Sequence, residues 1–128
     1  MKEKIAIIIP CYNVEKTIER VIFEIRPDLI KQISYIVCID NNSSDNTRTI
    51  LESIHESNHM VSNKLVLLFN NENYGYGGSI KKSFDYCINN DIDFFIILHS
   101  DGQSDAYGIV NNFLNIHRQN SGCDIVLA

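Results

Sequence analysis

Apolar and polar positions fall in alternating blocks along this chain, and the spacing inside the blocks switches between strand and helix. Ile5-Ala6-Ile7-Ile8-Ile9 is a continuous apolar run and predicts a strand over Lys4 to Pro10, buried on both faces. Val14, Ile18, Val21, Ile22 and Ile25 then recur at helical spacing, with Asn13 as the expected N-cap and Pro27 as the stop. Tyr35 to Ile39 is a second strand-like run, and a helix from about Asp45 is expected to turn Ile50, Leu51 and Ile54 inward. Leu65 to Phe69 predicts a third strand. A glycine-rich stretch then leads into a helix carrying Ile80, Phe84, Cys87 and Ile88. Phe94 to Leu98 is the fourth run, a helix with Ile109, Phe113 and Ile116 follows, and Asp124 to Leu127 predicts a fifth strand.

Strand and helix in strict alternation define an α/β fold, a mostly parallel sheet with helices on both faces. The crossovers are expected to be right-handed. A chain of 128 residues is sized for one domain. Ala128 falls on or just after the fifth predicted strand, so residues 1–128 are expected to be part of a longer domain. The polar stretch Glu56 to Asn63 is read as a surface loop.

Polar residues gather where the strands end. The four clusters are Pro10 to Asn13, Asp40 to Thr47, Asn70 to Gly78, and His99 to Gln103. Four such loops at one sheet edge make a ligand crevice. The last is the most informative, because a buried strand has no use for an ionised carboxylate inside it. Asp101, just past the strand, is placed to meet a hard cation such as Mg²⁺ shared with a diphosphate. The plain alternative is an Asx-type turn helped by Gly102. Gly75, Gly77 and Gly78 allow close backbone approach to an anion ahead of a helix N-terminus, with Lys81 and Lys82 following.

A net charge of −5 leaves no basic face for a nucleic-acid polymer, while a small phosphorylated ligand carried with a metal stays compatible. No apolar run approaches a membrane span, and Met1-Lys2-Glu3-Lys4 opens a strand and not a signal peptide. Cys11, Cys38, Cys87 and Cys123 form no C-x-x-C pair. Cys38 and Cys87 read as small buried hydrophobes, and a cytosolic, reduced setting is expected. His55, His59 and His117 are read as surface residues.

Taken in order, the loops resemble those of family 2 glycosyltransferases with the GT-A fold, over the whole chain. Pro10, Tyr12 and Asn13 match the family's Pro-x-Tyr-Asn opening, with Glu15 soon after. Asp40, Ser43, Asp45 and Thr47 match its Asp-Asp-x-Ser-x-Asp-x-Thr loop, with Asn41 replacing the second Asp. Asn73, Gly75 and Gly77 match Asn-x-Gly-x-Gly, and His99-Ser100-Asp101 aligns with Asp-x-Asp, His99 replacing the first Asp. Gly102-Gln103 resembles the branch acting on dolichyl or polyprenyl phosphate.

The resemblance implies a Rossmann-like half that binds a UDP- or GDP-sugar with Mg²⁺ or Mn²⁺ on Asp101. It implies inverting transfer to an acceptor hydroxyl or phosphate, the acceptor being polyprenyl phosphate or a glycan. That chemistry belongs to cell-wall or polysaccharide biosynthesis at the cytoplasmic face of a membrane. The family's general base lies in the second half of the domain, so none is assigned, and residues 1–128 alone are expected to be inactive.

Each matched residue has an expected role. Tyr12 lies against a nucleobase face. Asp40, and Asn41 through its carbonyl, accept from a pyrimidine N–H. Asn73 holds the glycine loop, His99 contacts ribose in preference to metal, and Ser100 shares the site with Asp101. Gln103 orders the loop. Asp45 and Thr47 cap the helix that follows them, and Asp105 starts the last one. Two other readings stay open. A nucleotidyltransferase would carry a basic, glycine-rich loop after the first strand, which Pro10 to Asn13 is not. A non-catalytic nucleotide-sugar-binding module would make His99 the mark of a lost metal site.

Overall fold

The computed structural model describes residues 3–103 and 105–119. Its elements are β1 (Ile5–Cys11), α1 (Ile18–Phe23), α2 (Pro27–Ile30), β2 (Tyr35–Asp40), α3 (Thr47–Glu56), β3 (Leu65–Phe69), α4 (Gly75–Asn89), β4 (Phe94–Ile97) and α5 (Ala106–Gln119). The strands form one parallel sheet in the order β3-β2-β1-β4. The expected fifth strand and Cys123 lie outside the described residues.

The strand order explains which face each helix takes. From β1 the chain steps to β2 and then β3 in one direction, then returns across the sheet to β4. With right-handed crossovers, the helix on the return must lie on the opposite face. Accordingly Ile7, Ile9, Ile36, Cys38 and Ile96 pack with residues of α1, α2, α3 and α5, while Ile8 and Val37 meet Cys87 of α4. Central β1 is covered on both sides, so every residue from Ile5 to Ile9 is buried and the run has no polar member.

Several expectations are corrected. Asn13 does not cap α1; it sits at φ 50°, and Val14 and Thr17 form a turn before the helix starts at Ile18. Pro27 does more than stop α1: it holds Arg26 extended and opens the short α2. The buried face of α4 is Ser79, Ser83 and Cys87, whereas Phe84 and Ile88 are exposed. Small residues at four-residue spacing let that helix lie close against Ile8 and Val37. In α5, Val110 and Leu114 point inward with Phe113, and Ile116 does not. The stretch read as a loop before β3 contains a 3-10 turn over Met60–Lys64 that buries Val61 and Ser62. His117 is not a surface residue: its ring stacks on Phe94 at 4.0 Å, and its Nε2 meets Glu3 at 2.6 Å. No helix among the described residues is long and apolar enough to cross a membrane.

Candidate functional site

The strand order reverses between β1 and β4, which run parallel, and a cleft of about 340 Å³ opens at that point. An open α/β sheet binds ligands at such a switch point, beyond the carboxyl ends of its strands. The β1 loop contributes Pro10, Cys11, Tyr12 and Val14; the β4 loop contributes His99, Ser100 and Asp101. Asn41, Asn73, Gly75, Tyr76 and Ser79 complete the lining.

The loops are stitched together by side chains bonding backbone. The consecutive N–H groups of Asn13, Val14 and Glu15 donate to Ser43 Oγ, Thr47 Oγ1 and Asp45 Oδ2 at 2.9, 2.9 and 3.2 Å. In return, Ser44 N–H donates to Asn13 Oδ1 at 2.8 Å and Asn46 N–H to Glu15 Oε2 at 3.1 Å. Asp45 also takes the Thr47 N–H and hydroxyl, at the start of α3. Partial burial alone would push the Asp45 carboxyl up, but these Thr47 bonds and the Glu15 N–H outweigh it and hold the pKa below the ordinary aspartate value.

An amide lattice joins the β2 and β3 loops to α4. Asn41 Oδ1 accepts from Tyr74 N–H and from Asn70 Nδ2, both at 2.9 Å. Asn41 Nδ2 donates to Asn73 Oδ1 at 2.7 Å, and that oxygen also takes Gly75 N–H at 2.8 Å. A helix N-terminus leaves four N–H groups without intrahelical partners. Here Asn41 and Asn73 satisfy those of Tyr74 and Gly75.

The β4 loop is anchored to β1. Ser100 Oγ donates to Pro10 O at 2.6 Å, and Ser100 O accepts from Thr17 Oγ1 at 2.7 Å. Asp101 is exposed; its Oδ1 accepts from Gln103 N–H at 3.1 Å, the Asx-type turn, with Gly102 at φ 76°. Asp101 Oδ2 has no partner among the described residues. Cys11, which lines the cleft, has its thiol pKa pushed well up by hydrogen bonding with the free thiol of Cys38, by burial and by the Asp40 charge, so it stays a neutral thiol.

The sequence-derived residues therefore divide. Pro10, Tyr12, Asn41, Asn73, Gly75, His99, Ser100 and Asp101 come together around the cleft. Asn13, Glu15, Asp40 and Gly77 do not line it. Asn13 and Glu15 clamp the β2 loop, and Asp40 is 2% exposed with its oxygens engaged by Ser43 Oγ and N–H. Gly77 lies within α4, not in a loop before it. The carbonyl of Asn41 is corrected as a base acceptor, because both its lone pairs are occupied. Lys82 packs over the Tyr74 ring at 4.2 Å. Tyr76 was missed: it is 55% exposed and stacks on His99 with ring centroids 6.2 Å apart. Its signal was an aromatic residue between two glycines in a polar loop.

Fold and cleft together define a Rossmann-like α/β unit with its ligand site at the switch point. The family model for Glycosyl transferase family 2 matches residues 6–118, and the chain belongs to that family. It is 30% identical over 102 residues to "Protein RfbJ" of Shigella flexneri, covering 80% of this chain and 67% of that one. Among solved structures it resembles S. aureus TarS 1-349 with a TM-score of 0.65 and 21% identity, covering 90% of this chain and 32% of TarS. TarS 1-349 in complex with UDP gives a TM-score of 0.68 at 17% identity, covering 97% of this chain and 38% of that one. The chain thus spans about a third of the length of these TarS chains.

Proposed function

We propose that residues 1–128 are the donor-binding part of a glycosyltransferase that takes a UDP- or GDP-sugar with Mg²⁺ or Mn²⁺. One observation carries the reading: the exposed Asp101, whose Oδ2 has no partner among the described residues, lines the same cleft as the exposed ring of Tyr12. Family membership supports it. Among the described residues no three His, Cys, Asp or Glu side chains converge. That suits an ion that takes one protein carboxylate and completes its shell with water and diphosphate oxygens. Such an ion, when bound, supplies positive charge to the departing nucleoside diphosphate.

Tyr12 offers apolar area to the base, and His99, on the same cleft, is the proposed ribose contact. Ser100 and Pro10 fix the distance between those two walls. The acceptor is a polyprenyl phosphate or a glycan, in polysaccharide biosynthesis at the cytoplasmic face of a membrane. The Asp101-Gly102-Gln103 resemblance favours the former. No general base is assigned.

Calorimetric titration of UDP and GDP with Mn²⁺, with Mg²⁺ and with EDTA tests the proposal, repeated on Asp101→Ala. Binding that requires metal and disappears in the variant is expected. Binding that survives EDTA would return Asp101 to a turn residue, and binding of neither nucleotide by a folded sample would overturn the site.

A further inference from the structure

The N–H of Leu98 donates to Ile8 O at 2.8 Å, and past that bond the chain leaves the sheet. Asp101 follows in an exposed turn, which by itself holds a carboxylate loosely. The backbone on either side of Asp101 is gripped from the start of α1. Ser100 O, the carbonyl before it, accepts from Thr17 Oγ1 at 2.7 Å. Gly102 O, the carbonyl after it, accepts from Arg20 Nη2 at 3.2 Å. The two donors are three residues apart, a spacing that puts them on one face of a helical turn. The Thr17 hydroxyl has one proton, and Val14 O at 3.4 Å is the poorer acceptor, so the proton goes to Ser100. Gly102 makes the contact direct: a Cβ there would collide with Arg20 Nη2 and lie 3.3 Å from Thr17 Cβ. Arg20 Nη1 is held by Glu24 Oε1 at 3.2 Å. Its guanidinium therefore ties the loop through a carbonyl and leaves the Asp101 carboxylate free for a cation.

We propose that Thr17 and Arg20 are positioning residues for Asp101. By holding the carbonyls that flank it, they fix where its carboxylate stands, and so how tightly a divalent cation and its diphosphate are held. The inference rests on the donor-binding reading and adds two residues that do not line the cleft. A metal-binding carboxylate depends on such support, because the cation is sensitive to small displacements of its ligands.

Thr17→Val keeps the volume and removes the hydroxyl. Thr17 makes no side-chain cap bond to α1, so the variant does not uncap the helix. Two measurements test the proposal: amide hydrogen exchange of the metal-free chain, and titration of UDP and GDP with Mn²⁺. The Gln103 N–H, bonded to Asp101 Oδ1, is expected to lose protection by roughly three- to tenfold while the Leu98 N–H in the sheet keeps its own. Mn²⁺-dependent nucleotide binding is expected to weaken about tenfold. Thr17→Ser restores the donor and is expected to retain both values. Arg20→Met changes an exposed side chain and is expected to shift both in the same direction by less, which keeps the test open if Thr17→Val does not fold. Equal losses at Leu98 and Gln103 would mean a general loss of stability and overturn the proposal. So would Thr17→Ser behaving as Thr17→Val. Unchanged binding in folded variants overturns this proposal alone and leaves the donor-binding reading standing. A folded wild-type chain that binds neither nucleotide overturns both.

Discussion

Asn41 donates to Asn73 across 2.7 Å, and each of these side chains also accepts a backbone N–H at the start of α4. The pair acts as a single helix cap, drawn from loops 32 residues apart. Asn73→Ala removes the acceptor of Gly75 N–H and strands an amide of the buried Asn41. A loss of about 1–3 kcal/mol is expected in urea denaturation. A loss near zero would mean that water replaces the amide without cost.

Gly75 and Gly77, two residues apart, are expected to respond to alanine with opposite signs. Gly75 sits at φ 77°, so Gly75→Ala is expected to cost about 1–2 kcal/mol. Gly77 is helical, has no positive φ, and a methyl group there meets nothing within 4 Å. Gly77→Ala is therefore expected to raise stability by about 0.5–1 kcal/mol. Equal signs in thermal melts would contradict the geometry.

Asp45 makes part of the stability depend on pH. Its folded pKa lies below the ordinary value because the Thr47 and Glu15 bonds overcome partial burial. Its contribution is therefore fully present above the unfolded carboxylate pKa, about 4. It is lost as pH falls through the lower folded pKa. Asp45→Asn is expected to flatten the acid side of the stability curve, and an unchanged acid slope would show that other carboxylates set it.

Tyr76 lines the cleft and stacks on His99, so Tyr76→Ala is expected to weaken nucleotide binding by up to about tenfold without changing the fold. Tyr76→Phe is expected to retain most of the affinity, since the ring and not the hydroxyl makes the contact. Comparable losses in both variants would assign the contribution to the hydroxyl.

The parallel strands were legible because burial on both faces demands continuous apolar runs, as in Ile5 to Ile9. The packing of α4 was not. Hydropathy found Cys87 on its buried face, but a helix lying close to a sheet also presents Ser79 and Ser83 to it, where hydropathy alone pointed to Phe84 and Ile88. At the site, Tyr12, His99 and Asp101 could be placed at the cleft from their position after a strand. Asn13, Glu15 and Asp40 could not be separated from ligand contacts, because a clamp and a binding residue use the same short polar chemistry. What distinguishes them is a partner about 30 residues away for Asn13 and Glu15, and burial for Asp40.

Ser100 is bonded to both Pro10 and Thr17, while Asn13, Val14 and Glu15 are bonded to the β2 loop. Three loops of the rim are therefore tied in series before any ligand arrives. Little protein entropy is left to lose on binding, so selectivity rests on the ligand's shape and polarity and not on loop ordering. The same linkage means that a polar change in the β1 segment removes support from the loops on both sides of it.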